Sequence, residues 1–209
     1  MKKSESKSKT SSKKQGFLVI LSAPSGCGKT TVLSRLLNRH PDWVRSVSVT
    51  TRIPRPEEDH GHDYQFVSPK EFEALKEKKE FLEWARVFKH LYGTPRKPIL
   101  KAVERGHPVI LTVDVQGHRS IRKEVAAAPT PLFSLFILPP SIQVLRERLE
   151  KRSTDSAKEI ESRIRMAEEE IKAAREYDAT VINHDLDQTT HEIEALISEF
   201  QKKLNLKEK

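Results

Sequence analysis

The sequence has a single cysteine and no long apolar run. Because Cys27 is the only cysteine among 209 residues, no internal disulfide can form, and the cytoplasm is the expected location. No apolar stretch approaches the roughly 20 residues of a membrane-spanning helix. Residues 1–15 also lack the apolar segment of a secretory signal peptide, so we expect a protein without a membrane partner.

Net positive charge is concentrated at the N-terminus. The formal net charge is +8, but residues 1–15 contain six lysines and one glutamate and supply +5 of it. The nearly balanced remainder argues against a specific nucleic-acid partner. We predict that residues 1–15 form a disordered basic tail. This tail is either a solubilising extension or a weak contact for RNA or another polyanion.

The chain does contain a pattern typical of phosphate-binding loops. The apolar run FLVIL at 17–21 precedes a turn of small residues, and helical spacing begins at Thr30. This order predicts a P-loop, in which Lys29 reaches the β- and γ-phosphates and the Thr30 hydroxyl binds Mg²⁺. The predicted ATP-binding residues here are Ala23, Pro24, Ser25, Gly26, Cys27, Gly28, Lys29, Thr30 and Thr31.

The match departs from the usual pattern at its first glycine, which is Ala23 here. That position needs a small side chain more than a positive φ angle, so alanine costs little. A purely structural glycine turn is the alternative. We expect the amide of Cys27 to matter rather than its thiol, although a helix N-terminus lowers the pKa of a thiol.

Strands and helices alternate along the rest of the chain. Apolar runs at 109–113 and 132–138 predict buried strands, residues 43–49 alternate as in a further strand, and Asp187 is placed to cap the last helix. This alternation predicts a three-layer α/β/α fold with a parallel core sheet. We assign that core to residues 16–49, 96–145 and 176–209 of a single domain, 16–209.

Two segments interrupt the alternation. Residues 50–95 contain short strands and prolines, and we expect a small antiparallel subdomain inserted into the core. Residues 146–175 contain a helix, a polar tip and a second helix that starts at a capping box, Ser156 to Glu159. Inward-facing arginines on these helices would make the segment a hinged lid.

Some polar residues stand where a ligand could use them. Arg52 and Arg55 are three residues apart on a proline-rich segment, where paired guanidinium groups suit a phosphate. A solvated basic loop is the simpler explanation. Glu83 is a lone acid in an apolar strand, a pattern that usually means a solvent-facing side chain. Asp114 follows a parallel strand, at the edge where such sheets bind ligands.

The ordered motifs resemble those of guanylate kinases from Phe17 to about Leu196. The matching pieces are SAPSGCGKTT, SVTTRIPRP, HGHDYQFV, FLEWA, YGTP, DVQG, FILPPS and the arginines that begin the lid. The resemblance implies Mg²⁺ as cofactor and transfer of the ATP γ-phosphoryl group to GMP or dGMP, with ADP and GDP as the products from GMP.

The resemblance also implies a role for each candidate residue. Ser48 and Glu83 would read the guanine, and Asn183 would lie near the base of ATP. The other GMP-binding residues would be Arg52, Arg55, Tyr64, Tyr92, Thr94 and Asp114, and the catalytic residues would be Lys29, Arg148, Arg152 and Arg163.

The sequence departs from the family pattern at a few positions. Thr112 stands where the family commonly has an acid, so the contacts expected with the acceptor or with a cation are affected at this position. Glu57 and Ser153 replace common glycines. One alternative function is an interaction module that binds phosphopeptides, but such modules typically have a degraded P-loop, whereas this one is intact. Another is a kinase for a different monophosphate, against which Ser48 and Glu83 argue.

Overall fold

Two sheets and seven α-helices form the part of the chain that the computed structural model describes, which is residues 15–87, 89–127, 130–151 and 156–207. The predicted tail, apart from Gln15, lies outside these residues, and so does Arg152. None of the described helices is long and apolar enough to cross a membrane.

The elements follow one another in an order of mixed strands and helices. The strands are β1 (Phe17–Ser22), β2 (Val44–Arg45), β3 (Val49–Thr50), β4 (Gln65–Phe66), β5 (Phe81–Val87), β6 (His90–Pro95), β7 (Pro108–Leu111), β8 (Leu132–Leu138) and β9 (Ala179–Ile182). The helices are α1 (Lys29–Arg39), α2 (Pro69–Glu77), α3 (Arg96–Glu104), α4 (Val115–Ala126), α5 (Ile142–Glu150), α6 (Ala157–Lys172) and α7 (Leu186–Lys207), with a 3-10 turn at Ala173–Glu176.

The larger sheet is parallel throughout and has the strand order β2-β7-β1-β8-β9. Its central strand, β1, is buried on both faces because successive side chains enter two separate cores. Phe17 and Val19 pack with residues of α1, α5, α6 and α7, whereas Leu18 and Ile20 pack with residues of α3 and α4. The predicted α/β/α arrangement is confirmed.

The smaller sheet has four strands in the order β4-β3-β6-β5. β6 pairs antiparallel with β3 and β5, but β3 and β4 are parallel, so the sheet is mixed where we expected an antiparallel one. The single strand predicted at 43–49 is wrong, because β2 belongs to the larger sheet and β3 to the smaller. A short alternating run does not indicate which sheet its residues will join.

Capping side chains set where the helices begin. The capping boxes of α2 and α6 form as the sequence indicates. Asp185, rather than the predicted Asp187, caps α7, because its Oδ1 accepts hydrogen bonds from the N–H groups of Asp187 and Gln188, both at 2.9 Å. Asp187 lies within the first turn, where its carboxylate is 2.6 Å from Arg35.

Candidate active site

The loop between β1 and α1 has the geometry of an anion site. Gly26 and Gly28 have φ angles of 93° and 82°, a left-handed region that favours glycine, and they turn the chain into α1. The first turn of α1 contains no acidic residue, so the amides at its N-terminus are suited to an anion. Thr30 is exposed at this helix start.

Cys27 and Asn183 support the loop from within the protein. Burial raises the pKa of the Cys27 thiol to about 12, which agrees with the expectation that the thiol is not used. Asn183 is 1% exposed, and its Nδ2 donates to the Cys27 carbonyl oxygen at 2.8 Å. Its Oδ1 accepts from Thr189 at 3.1 Å. The Asn183 side chain therefore supports the P-loop from within the protein, and its position near the ATP base stays a prediction.

Lys29 has two acidic neighbours, one of which the sequence analysis missed. Burial lowers the pKa of Lys29, and the negative charges of Glu170 and Asp114 counteract this. Burial raises the pKa of Glu170 to about 7, with Lys29 lowering it and Asp114 raising it. Glu170 lies seven residues after Arg163 in α6 and shares its face, a spacing that could have identified it.

Two arginines of the predicted lid contact the P-loop and Asn183, the residue that supports it. Arg163 in α6 donates from Nη1 to Oγ of Ser25 at 3.3 Å. Arg148 in α5 donates from Nη2 to the carbonyl oxygen of Asn183 at 3.1 Å. The two helices therefore bring Arg148 and Arg163 to the P-loop and to Asn183. Arg152, which lies between these two arginines in the sequence, is outside the described residues.

Glu83 is buried in the smaller sheet rather than facing solvent, with 8% of its surface exposed. Thr94 donates to its Oε1 at 2.5 Å, so Thr94 lies beside this carboxylate. Burial raises the pKa of Glu83 to about 7, with Thr94 lowering it and Asp114 raising it. Ser48 is also buried, and the pairing of Val49 with Gly93 puts it level with Thr94.

Helix α4 closes the other side of Glu83. A Cβ atom at Gly117 would lie 3.1 Å from Glu83 Oε2 and 2.9 Å from Val113 Cβ, both too close for an unstrained contact. Asp114 caps the helix by accepting from the Gly117 N–H at 2.8 Å. The DVQG motif thus leaves room for the Glu83 carboxylate, and Asp114 is near enough to Glu83 and to Lys29 for its charge to raise the pKa of each.

The predicted phosphate-binding residues gather around Glu58, which the sequence analysis did not single out. Nη2 of Arg52 lies 2.8 Å from both Glu58 carboxylate oxygens, and the guanidinium carbon is 5.4 Å from the Tyr64 ring centroid. Tyr64 and Tyr92 meet edge-on with centroids 6.0 Å apart. The Arg55 N–H donates to Glu58 at 2.9 Å. Burial raises the pKa of Glu58, but Arg52 and Arg55 lower it by more and hold it below its usual value.

Comparison with known proteins shows which family has this arrangement. The family model for guanylate kinase matches residues 15–200. The chain belongs to the guanylate kinase family. Among curated relatives, the guanylate kinase of Maricaulis maris is 47% identical over 173 residues, covering 83% of this chain and 78% of that protein. The guanylate kinase of Wolbachia from Brugia malayi is 46% identical over 187 residues, covering 88% and 92%.

Solved structures agree with membership in the guanylate kinase family. The crystal structure of the guanylate kinase from Anaplasma phagocytophilum has a TM-score of 0.75 at 35% identity, covering 90% of this chain and 88% of that one. A gluconokinase from Sinorhizobium meliloti 1021, with a TM-score of 0.54 at 17% identity, shares the fold alone. The family that the ordered motifs predicted is therefore confirmed.

Proposed function

We propose that this chain is an ATP:GMP phosphotransferase, which moves the γ-phosphoryl group of ATP to GMP or dGMP and releases ADP with GDP or dGDP. One observation carries the proposal, namely that the start of α4 adjoins both sites. Gly117 packs against the buried Glu83 carboxylate, and Asp114, which accepts from the Gly117 N–H, is near enough to Lys29 of the P-loop to influence its pKa. A donor site and an acceptor site therefore adjoin at the carboxyl edge of the parallel sheet, where such folds bind ligands.

The donor site consists of the P-loop and the start of α1. The loop amides and the helix dipole would bind the β-phosphate, and Lys29 would bridge the β- and γ-phosphates. In the structure the nearby charges of Glu170 and Asp114 favour the charged form of Lys29 despite its burial. The phosphates of ATP would take over that role when they bind.

The acceptor site recognises guanine through Glu83. Guanine presents N1–H and a 2-amino group on one edge, and a carboxylate can accept from both. The hydrogen bond from Thr94 fixes the orientation of this carboxylate. The Ser48 hydroxyl can donate to the neighbouring O6 of guanine.

The GMP phosphate would occupy the arginine cluster. Arg52 and Arg55 contact the Glu58 carboxylate in the structure, and a phosphate offers the same kind of oxygen acceptors with more charge. We infer that the phosphate replaces Glu58 as their partner, with the hydroxyl groups of Tyr64 and Tyr92 as further donors. On this basis residues 50–95 are the acceptor-binding subdomain.

Phosphoryl transfer needs positioning and charge neutralisation more than covalent chemistry. Lys29, Arg148, Arg152 and Arg163 would surround the transferring group, and closure of the lid at 146–175 would keep water from accepting it. We expect the reaction to take place in the cytoplasm, where the single thiol stays reduced.

A magnesium ion fits the oxygen groups at the donor site. Thr30 presents a hydroxyl at the helix start, and the described residues contain no group of three or more acidic, histidine or cysteine side chains that could hold a metal. Mg²⁺ typically takes a few protein oxygens and completes its shell with phosphate oxygens and water. When bound with ATP it would supply charge neutralisation at the β- and γ-phosphate oxygens.

Product analysis tests the proposal. The purified chain with ATP, Mg²⁺ and GMP should form ADP and GDP in equal amounts, measured by anion-exchange chromatography. Lys29→Met should lower kcat by about 10² or more, because it removes a charge that the transition state needs. Lys172→Met is the control, because Lys172 is exposed and its ammonium group contacts Glu169 on the α6 surface. ADP release without GDP would contradict the proposal.

A further inference from the structure

The buried face of α4 contains a histidine whose polar atoms have no partner. His118 is 1% exposed, and neither of its ring nitrogens has a hydrogen-bond partner among the described residues. Buried polar atoms are usually satisfied, and leaving one unpaired costs free energy. Hydrogen bonds of the side chain therefore do not explain why a histidine stands here. The contact that its ring does make is through the flat face.

The face of the His118 ring lies on Tyr177, which directly follows the lid. The two rings are nearly parallel, 16° apart, and their centroids are separated by 3.9 Å. Tyr177 is 8% exposed, and Phe136 of β8 packs edge-on against it with centroids 4.9 Å apart. These contacts hold Tyr177 between α4 and the larger sheet. The Tyr177 N–H donates to the Ala174 carbonyl oxygen at 3.1 Å, so a shift of this ring would move the 3-10 turn that ends the lid.

The orientation of α6 at this end decides where a lid arginine lies. Arg163 is nine residues before Lys172, the last residue of α6, which corresponds to about 14 Å of helix. A tilt of about 4° at this end would move Arg163 by about 1 Å, and a displacement of that size can cost up to about 10² in rate. His118 is thus able to influence phosphoryl transfer without touching a substrate.

We propose that His118 is a positioning residue for phosphoryl transfer, which acts through its stack on Tyr177 to fix the end of the lid. This inference rests on the proposed function. It gives His118 a different role from its neighbours in α4, because Gly117 packs against Glu83 and Asp114 influences Lys29. Since only the face of the His118 ring makes the contact, a phenyl ring should serve as well as an imidazole.

Two His118 variants test the stack in steady-state kinetics. His118→Ala removes the ring and should lower kcat about tenfold, the loss expected for a displacement of less than about 1 Å. The KM values for GMP and ATP should stay within twofold, because α4 keeps Asp114 and Gly117. His118→Phe keeps the face of the ring and should leave kcat within twofold of the wild type. An unchanged kcat in His118→Ala, or a tenfold loss in His118→Phe, would overturn the proposal.

A matched ring removal separates positioning from stability. Phe200 of α7 stacks on Phe133 with centroids 5.0 Å apart, in the core on the opposite face of the larger sheet. Phe200→Ala should lower the free energy of unfolding, as His118→Ala does, but leave kcat within twofold. Both variants are assayed at a temperature at which urea titration shows them to be folded. Equal losses of kcat in the two variants would overturn the positioning role.

A double variant tests whether the effect of His118 passes through the lid. If His118 acts by placing Arg163, then His118→Ala should lower kcat by less than twofold in the Arg163→Ala background. A further tenfold loss in that background would show that His118 acts independently of the lid arginine, and would overturn the proposal.

The pH dependence of folding tests the buried stack without any turnover. Burial lowers the pKa of His118, as does Arg122, whereas Glu176 and Asp178 raise it. The other charged groups nearby are Arg119 of α4 and Glu83 of β5, which faces Gly117. Below pH 6.5 the unfolded chain binds a proton at His118 that the folded chain does not, so stability falls as the pH falls.

This loss should disappear when the imidazole is replaced. Between pH 7.5 and 5.5 the unfolding equilibrium constant of the wild type should rise by up to about tenfold more than that of His118→Phe, measured by urea titration. Parallel pH profiles of stability would overturn the buried stack on which the proposal rests. Failure of the wild type to phosphorylate GMP would count against the proposed function, and the comparison of stabilities would still test the stack.

Discussion

At the scale of single residues, Glu83 shows what could and what could not be predicted from the sequence. Spacing alone favoured a solvent-facing side chain, and only the resemblance to guanylate kinases indicated a guanine contact. The residues that bury and orient it, Thr94 and Gly117, come from β6 and α4. Contacts between distant elements leave no local pattern. Glu58 differs, because it lies only six residues after Arg52 and three after Arg55 and was missed although these contacts are local.

A substitution at Gly117 tests the space beside Glu83 without removing any functional group. Gly117→Ala should push the Glu83 carboxylate aside, because the new Cβ would lie 3.1 Å from Oε2. We expect the KM for GMP to rise by about tenfold, with little change in the KM for ATP. Steady-state kinetics would measure both constants, with Ser120→Ala on the same helix as the control. A KM for GMP within twofold of wild type would show that the carboxylate does not need this position.

The titration of Glu83 gives a prediction about pH. Its pKa is raised to about 7, so below pH 7 the free protein holds a proton there that guanine binding must displace. The KM for GMP should therefore rise as the pH falls, by up to about tenfold per unit. Glu170 titrates in the same range, so the decisive quantity is the difference between the wild type and Glu83→Gln. Identical pH profiles for the two proteins would contradict the assignment.

At the scale of elements, α4 holds the segment that follows the lid. Three consecutive residues after α6 each contact a side chain of α4. The pairs are Glu176 with Arg119 at 2.6 Å, Tyr177 with His118 at 3.9 Å between ring centroids, and Asp178 with Arg122 at 2.5 Å. Motion of the proposed lid would therefore have a fixed end at these contacts. Since α4 begins at Asp114, one helix links this end to the active site.

Sequence periodicity predicted which segments form strands and helices better than it predicted which sheet a strand joins. The strand at 132–138 has the predicted bounds, because its largely apolar run stays within one sheet. The run at 43–49 divides between two sheets, which no local pattern indicates. The last helix starts at Leu186 with Asp185 as its cap. The sequence could not distinguish Asp185 from Asp187, because aspartates two residues apart are both suitable caps.

The lid prediction belongs to this scale because α6 carries both the tested residue and its control. Arg163→Ala should lower kcat by about 10² with little change in the KM for GMP, as expected for charge stabilisation made only during transfer. Arg165→Ala, two residues further along the helix at an exposed position, should leave kcat within twofold. If the KM for GMP rises while kcat holds, Arg163 belongs to the acceptor site instead.

At the scale of the whole molecule, the parallel sheet supplies the P-loop and the smaller sheet supplies Glu83 and the arginine cluster. The sequence predicted the first sheet from alternating strands and helices, and the P-loop from its motif. It could not predict that Asn183 supports the P-loop, because this contact joins segments far apart in the chain.

The most direct test of the guanine-specific acceptor site is a comparison of kcat/KM across GMP, dGMP, AMP, CMP and UMP in a coupled ADP-release assay. Adenine has no 2-amino group and an unprotonated N1, so it would leave the Glu83 carboxylate without donors. GMP and dGMP should be phosphorylated, and kcat/KM for AMP should be about 10⁴ lower. Glu83→Gln should narrow that gap. Phosphorylation of AMP or UMP as efficiently as GMP would contradict the proposed acceptor site.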